Sequence, residues 1–377
     1  MQTKSLHSKK FPMKKIVEIG GNFPLEAAAQ ASNCPENALF TFPKFKNNYY
    51  TFSGRTSISL ILKLIKGQKK ALLPDYTCDS CITPFFDNGY SFSFYKINSD
   101  LTPDIGDFSK KAEALQKHGG GVLFLQTYFG FDSLQSIRSQ LQKYNGITFV
   151  EDTTHSWLST FTKKESQFYV TSLRKWLGIP DGGVASTNQD STNSAIHFGK
   201  EKIEEVEEYA KASALKQEYL KESLSSDIAL EKKHYPLFKH TNSYFNETKD
   251  LLHISSLTKS IIQKADFHFI KQQRRENYQF LLDHVRSKYV QTIYKALPED
   301  VVPLYFPIII NSDRSRFQKH LASKNIFCPF HWPVSPFLEK EISQESFQYR
   351  ILSVVCDQRY SIEDMDYISK SINQYEE

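Results

Sequence analysis

The sequence predicts an α/β protein built on a mostly parallel sheet with helices on both faces. Three observations carry that reading. Apolar runs of strand length alternate with helix-period segments between residues 71 and 187, the order that crossover helices between parallel strands impose. Asp152, Ser172 and Lys175 fall just past the ends of such runs, where open α/β sheets bind their ligands. From residue 304 the pattern changes to short strands and capped helices, which reads as an α+β tail.

Residues 1–50 hold no long periodic segment. They read as an arm packed on the main body, with a short strand and turn at 16–21 and aromatics at Phe40, Phe42, Phe45, Tyr49 and Tyr50. The first strong element spans 51–65. Ser53-Gly54-Arg55-Thr56 precedes apolar Ile58, Ile61, Leu62 and Ile65, a helix whose N-terminus offers free N–H groups and a positive dipole end to an anion. Strands are expected at 71–74, 91–97, 121–127, 147–151, 168–172 and 184–187, and helices at 81–88, 108–118 and 134–144.

The tract 196–230 reads as a polar helix with a thin stripe of Ile203, Val206, Ala210, Ala214 and Leu220. Residues 234–248, of mixed composition, read as a loop reaching toward a neighbouring subunit. A second long helical tract covers 257–289. The tail reads as a strand at 305–310, a helix at 312–324, a strand at 351–355 and a last helix at 361–375. Ser361 with Asp364 three positions on forms a variant capping box there.

Composition narrows the function. Of 377 residues 40% are hydrophobic and 24% charged, an ordinary soluble balance with room for two domains. The net charge of +5 includes lysines at 4, 9, 10, 14 and 15, so the body is near neutral and no nucleic-acid partner is expected. No apolar run approaches the about 20 residues of a membrane helix, and no apolar segment follows the N-terminal lysines; a cytoplasmic protein without a membrane span is expected. Five cysteines (34, 78, 81, 328 and 356) are sparse and odd in number, which fits a reducing compartment. Cys78-x-x-Cys81 lacks a second pair or nearby histidine, so it reads as two small residues at a strand-to-helix turn, and no metal site is expected.

The chain is organised around residues 150–186. Apolar 147–150 runs into Glu151 and Asp152, and a lysine follows 23 positions after Asp152 in a short polar turn, ahead of Asp181-Gly182-Gly183. An acid and a lysine facing one cleft suit a cofactor with a basic ring nitrogen and an aldehyde. Lys163, Lys164 and Lys175 are the lysines within reach.

Glu151-Asp152-Thr153-Thr154-His155, with Lys175 seven and eight positions ahead of Gly182-Gly183, resembles the DegT/DnrJ/EryC1/StrS family of sugar aminotransferases, which use pyridoxal 5′-phosphate (PLP). The resemblance runs with gaps over 16–190 and 255–375. It implies a three-layer sandwich of the aspartate aminotransferase-like type, with an arm at 1–50, a large cofactor domain at 51–250 and a small α+β domain at 251–377. It implies that Lys175 condenses with the aldehyde, that Asp152 meets the ring nitrogen and that His155 lies near the ring hydroxyl. Gly54, Arg55 and Thr56 would bind the cofactor phosphate, with Ser172 as a further contact.

It also implies a homodimer that takes glutamate as amino donor and a keto-sugar nucleotide as acceptor, for surface polysaccharide or lipopolysaccharide synthesis. Family members that dehydrate sugars carry histidine at the lysine position, so Lys175 favours transamination. Arg274, Arg275 and Arg359 are candidates for the donor carboxylate.

The chain departs from the family in four places. Only Leu173 and Arg174 separate Ser172 from Lys175, a shortened turn in which Arg174 becomes a charged phosphate donor. Cys78 stands where the family stacks an aromatic on the cofactor, and Tyr76, on the same side of an extended segment, is the candidate substitute. Arg55 is bulkier than the family's residue. A Tyr- and Asn-rich segment after the glycine pair is missing. Two alternatives stay open: a PLP-dependent transaminase of a small keto or amino acid, and a catalytically silent relative with a binding or regulatory role.

Overall fold

The computed structural model describes residues 16–26, 45–161, 166–189, 197–225 and 231–377. Most of the N-terminal arm, Cys34, Phe40, Phe42 and the candidates Lys163 and Lys164 lie outside these residues. A seven-stranded sheet forms the centre. Its strands are β2 (Asn47–Thr51), β3 (Lys70–Pro74), β4 (Ser91–Tyr95), β5 (Gly121–Gln126), β6 (Ile147–Asp152), β7 (Phe168–Ser172) and β8 (Gly183–Thr187), in the order β2-β8-β7-β6-β5-β3-β4. From β4 to β7 the neighbours run parallel, while β8 is antiparallel to both β7 and β2.

Period-two alternation buries both faces. Leu72, Leu123, Leu125 and Phe149 pack on one side with Phe108 and Ile137. Ala71, Leu73, Val122, Phe124 and Val150 pack on the other with Ile58, Ile61 and Phe85. The covering helices are α1 (Gly54–Leu64), α2 (Asp79–Asp87), α3 (Ile105–Lys117) and α4 (Gln135–Leu141). Ser53 caps α1 by accepting the Thr56 N–H, and Asp104 caps α3 by accepting that of Asp107, each satisfying an orphan donor of the first turn.

The same alternation separates the two acids at the end of β6. Glu151 turns to the α4 side, where Arg138 donates to both of its oxygens at 3.3 and 3.1 Å and also pairs with Asp132 at 2.8 Å. Asp152 turns to the α1 side.

Helix α5 (Ile203–Ser225) buries Val206, Tyr209, Ala212, Ser213 and Lys216, a stripe rotated from the expected one and leaving Ile203 61% exposed. Residues expected to form a loop are instead helix α6 (His234–Glu247). The apolar face that decides this is sparse. Phe238 packs edge-on against Tyr209, and Phe245 stacks on Phe52 at 4.6 Å. The second helical tract divides into α7 (Ser256–Lys264) and α8 (Phe267–His284). Asp266 breaks it, its side chain capping α8 through the Phe269 N–H.

The tail forms an antiparallel sheet of β9 (Val290–Thr292), β10 (Phe306–Ile310) and β12 (Ile351–Val354) in the order β12-β10-β9. Helices α8 and α10 (Ile362–Asn373) pack with it through Tyr278, Leu281, Met365 and Ile368. The Ser361–Asp364 capping box is present. Helix α9 (Arg314–Ser323) leads to β11 (Ile326–Phe327), which pairs in parallel with β1 (Ile19–Gly20). Among the described residues no helix is long and apolar enough to cross a membrane, and the four described cysteines are free.

Arg138→Met strands the fully buried Glu151 without its counter-charge. A loss of about 3–5 kcal/mol is expected, measured by urea unfolding, and Glu151→Gln in the same chain should recover part of it. Wild-type stability in Arg138→Met would contradict the account of this pair.

Candidate active site

One cavity opens at the carboxyl ends of β6 and β7. It is lined by Gly54, Arg55, Cys78, Asp152, His155, Ser172 and Lys175, together with Gln126, Val170, Arg174, Phe245 and Trp332. Eight of the residues expected at the cofactor, Arg174 included, therefore meet in space.

Glycines make that meeting possible. A β-carbon on Gly183 would stand 2.3 Å from the Ser53 carbonyl oxygen, and one on Gly54 would stand 3.0 Å from the β-carbon of Ser172. Gly182, at φ +129°, donates its N–H to the Phe52 carbonyl at 2.7 Å. The N-terminus of α1 is thereby held against the end of β7 and the turn Leu173–Lys175. Asp181 fixes the approach from behind: its buried carboxylate accepts from the N–H and hydroxyl of Ser255, both at 2.7 Å, and from the Thr258 hydroxyl.

Asp152 is 2% exposed. Its Oδ1 accepts the Thr154 N–H at 2.8 Å, and the Cys81 thiol approaches Oδ2 at 3.5 Å. Burial pushes its pKa up, while the Thr154 and Cys81 hydrogen bonds and the charge of Lys175 pull it down; the balance lies above the ordinary value. Among the described residues no cation forms an ion pair with it. Arg174 is its counterpart. Its guanidinium lies 3.9 Å over the Phe245 ring and donates to the neutral Asn242 Oδ1 at 3.0 Å, while its buried Nε has no partner. Burial holds its pKa below the ordinary value. Arg55 also has a buried Nε without a partner. A buried carboxylate and two under-satisfied guanidiniums in one cavity are costly alone. They fit a ligand that is cationic at one point and anionic at another.

His155 accepts the Phe129 N–H on Nδ1 at 3.4 Å. That places its proton on Nε2, which is buried and unpartnered. Burial and the charge of Lys175 push the imidazole down to about 3.

Two residues expected at the cofactor do not line the cavity. Thr56 is buried and its hydroxyl bonds the Ser53 Oγ at 3.0 Å, completing the helix cap. Tyr76 is 1% exposed in a core with Tyr128, Trp332 and Phe347, and its hydroxyl donates to the His331 carbonyl. The core captures it because the segment after β3 folds inward at that position. The arginines considered for a donor carboxylate are likewise engaged internally. Arg274 donates to Gln358 at 2.8 Å and to the carbonyls of Leu304 and Trp176. Arg275 donates to the Pro298 carbonyl at 2.7 Å, and Arg359 pairs with Asp357 at 2.8 Å.

Supporting residues escaped the sequence reading. The Trp176 indole N–H donates to the Thr154 carbonyl at 2.7 Å, and Gln358 and Arg274 hold the Trp176 carbonyl, so the tail braces the residue next to Lys175. Thr77 donates to Gln126 at 2.6 Å on the cavity wall. Only the conserved-looking spacing of a motif could have flagged these, and they belong to none.

No family model matches the sequence. The dTDP-3-amino-3,6-dideoxy-alpha-D-galactopyranose transaminase of Aneurinibacillus thermoaerophilus is 25% identical over 154 residues, which are 38% of this chain and 40% of that protein. The match thus spans about two fifths of that relative's length. Solved structures align over nearly the whole chain. A DegT DnrJ EryC1 StrS aminotransferase from Brucella abortus superposes with a TM-score of 0.62 at 14% identity, covering 90% of both chains. A putative sugar aminotransferase from Streptococcus pneumoniae, solved in its PLP form, gives 0.61 at 14% identity over 90% of this chain and 89% of that one.

The fold is that of the sugar aminotransferases. The likeness carried by two motifs thereby extends to an α/β architecture with a mostly parallel central sheet, shared with these solved structures over nearly the whole chain.

The folded His155 stays neutral through the range where an unfolded histidine, with its ordinary value of 6.5, gains a proton. The unfolded chain therefore binds more protons, and this group removes stability as pH falls from 6.5 toward about 3. His331 is displaced in the same direction, and Asp152 in the opposing one. His155→Gln should flatten the fall in unfolding free energy between pH 7 and 4.5. An unchanged slope would show that His155 titrates normally.

Proposed function

We propose that the chain is a PLP-dependent aminotransferase that moves an amino group from glutamate to a keto-sugar nucleotide. The observation that carries the reading is the pairing, in one cavity, of a buried carboxylate without a cation and a buried guanidinium without an anion, beside a lysine. Similarity to a dTDP-amino-sugar transaminase and to aminotransferases of known structure, one in its PLP form, supports both the cofactor and the amino-sugar chemistry.

PLP, when bound, supplies an aldehyde that condenses with amines and a protonated ring that draws electrons from the reacting carbon. The chain supplies the rest. Asp152 would hold the proton on the ring nitrogen, because a carboxylate whose pKa burial has raised gains from a cationic partner that brings it back down. Arg174, Arg55 and the free N–H groups opening α1 would hold the phosphate. Ile58 and Val170 give the cavity an apolar floor that excludes water. The Lys175 amine would hold the aldehyde and, when free of it, would move a proton between the reacting substrate carbon and the cofactor carbon that bears the aldehyde. His155 offers a neutral N–H donor. A homodimer, with a large domain at 51–250 and a small one at 251–377, belongs to the same proposal.

The test is the absorbance of the purified protein with PLP. A band near about 400–430 nm is expected, lost in Lys175→Ala and bleached by glutamate in the wild type. A keto-sugar nucleotide should then restore it. No band in the wild type would overturn the reading, and restoration by small keto acids alone would redirect the substrate. Arg174→Met should weaken PLP binding by roughly 10–100-fold without removing the band at saturation.

A further inference from the structure

The cavity wall contains a residue from the far end of the chain that no motif assigns. Cys78 lines the cavity where the resembled family stacks an aromatic ring, and it brings only a thiol there. Trp332, in the segment between β11 and β12, lines the same cavity. It is 8% exposed, yet its indole N–H has no partner. The N–H on Nε2 of His155 is equally buried and equally unpartnered. The two rings lie 5.1 Å apart, tilted by 31°.

Neither ring is free to seek a protein acceptor elsewhere. The imidazole is fixed by the Phe129 N–H on its other nitrogen. The indole packs on Tyr76 at 5.2 Å and on Tyr128 at 6.4 Å. Tyr76 is itself pinned through its hydroxyl to the His331 carbonyl, and its own carbonyl accepts from Tyr128 at 2.6 Å. Buried N–H groups left unsatisfied by the protein are satisfied by a ligand, and two neutral donors beside one another bind an anionic oxygen most strongly.

We propose that Trp332 is a cofactor-binding residue whose indole N–H donates, together with the His155 imidazole N–H, to one anionic oxygen of bound PLP, the ring oxygen beside the aldehyde. The inference rests on the cofactor reading above and adds to it a donor on the opposite side of the sequence from the motifs. Tyr76 is a positioning residue in this arrangement: it holds the indole in place without touching the cavity.

The experiment titrates PLP, and a PLP analogue methylated on that ring oxygen, into wild type, Trp332→Phe and His155→Leu, following absorbance, with circular dichroism to check each fold. Phenylalanine keeps an aromatic ring and removes the donor together with the pyrrole half of the indole, and the methylated analogue separates the two losses. Trp332→Phe should bind PLP roughly tenfold more weakly, and the difference from wild type should vanish with the methylated analogue. The two substitutions together should cost less than the sum of each alone, because they share an acceptor. Equal PLP affinity in wild type and Trp332→Phe overturns the inference, and so does an equal loss with both ligands. Should the variants misfold, the wild type decides: equal affinity for PLP and for its methylated form overturns the inference. A wild type that binds neither ligand overturns the cofactor reading itself, a distinct result.

Discussion

Gly183 runs so close to Ser53 that a β-carbon would stand 2.3 Å from the Ser53 carbonyl oxygen, and the geometry of the cavity follows from that approach. With β8 pressed on the turn before α1, the helix N-terminus faces the end of β7. Gly54 then abuts Ser172, and the short turn carrying Arg174 and Lys175 is pushed toward Asp152 on β6. The nearest atoms to Gly183 belong to the Ser53 backbone, so no rotamer change can relieve a larger residue there. Asp181 holds the same strand from the other side through Ser255 and Thr258.

What the approach assembles is electrically unfinished. Asp152, Arg174, His155 and Trp332 each bury polar atoms that the protein leaves without full partners. By contrast, neighbouring charges are matched: Glu151 with Arg138, Asp357 with Arg359, and Arg274 with three carbonyl groups and Gln358. Around the cavity, orphaned N–H groups of Arg55, Arg174, His155 and Trp332 gather beside Asp152, which concentrates a desolvation cost where a ligand can repay it.

Much of this was legible in the sequence. Strand and helix alternation from 71 to 187 reported the sheet because each strand is buried on both faces and reads as an apolar run. The meeting of Asp152, His155 and Lys175 in one cavity was expected because strand ends mark Asp152 and Lys175, and the resembled motifs mark His155 and the glycine pair after Lys175. Helix α6 was not, since among its apolar residues only Phe238 and Phe245 are fully buried, with Leu237 and Tyr244 packed beside them, a stripe too thin to read as a period. Tyr76 was misplaced because alternation along an extended segment predicts a side, not whether a core will close over it. Trp332 was invisible for a different reason. Its place beside His155 depends on a contact across 177 positions of chain (from 155 to 332), and no local pattern encodes such a pairing.

The central claim is that Lys175 is the residue that meets the cofactor aldehyde. Reduction with borohydride in the presence of PLP, followed by peptide mass mapping, locates the modified lysine directly. The account predicts a single pyridoxyl adduct on the peptide containing Lys175. An adduct on Lys163 or Lys164, or none at all, would contradict it.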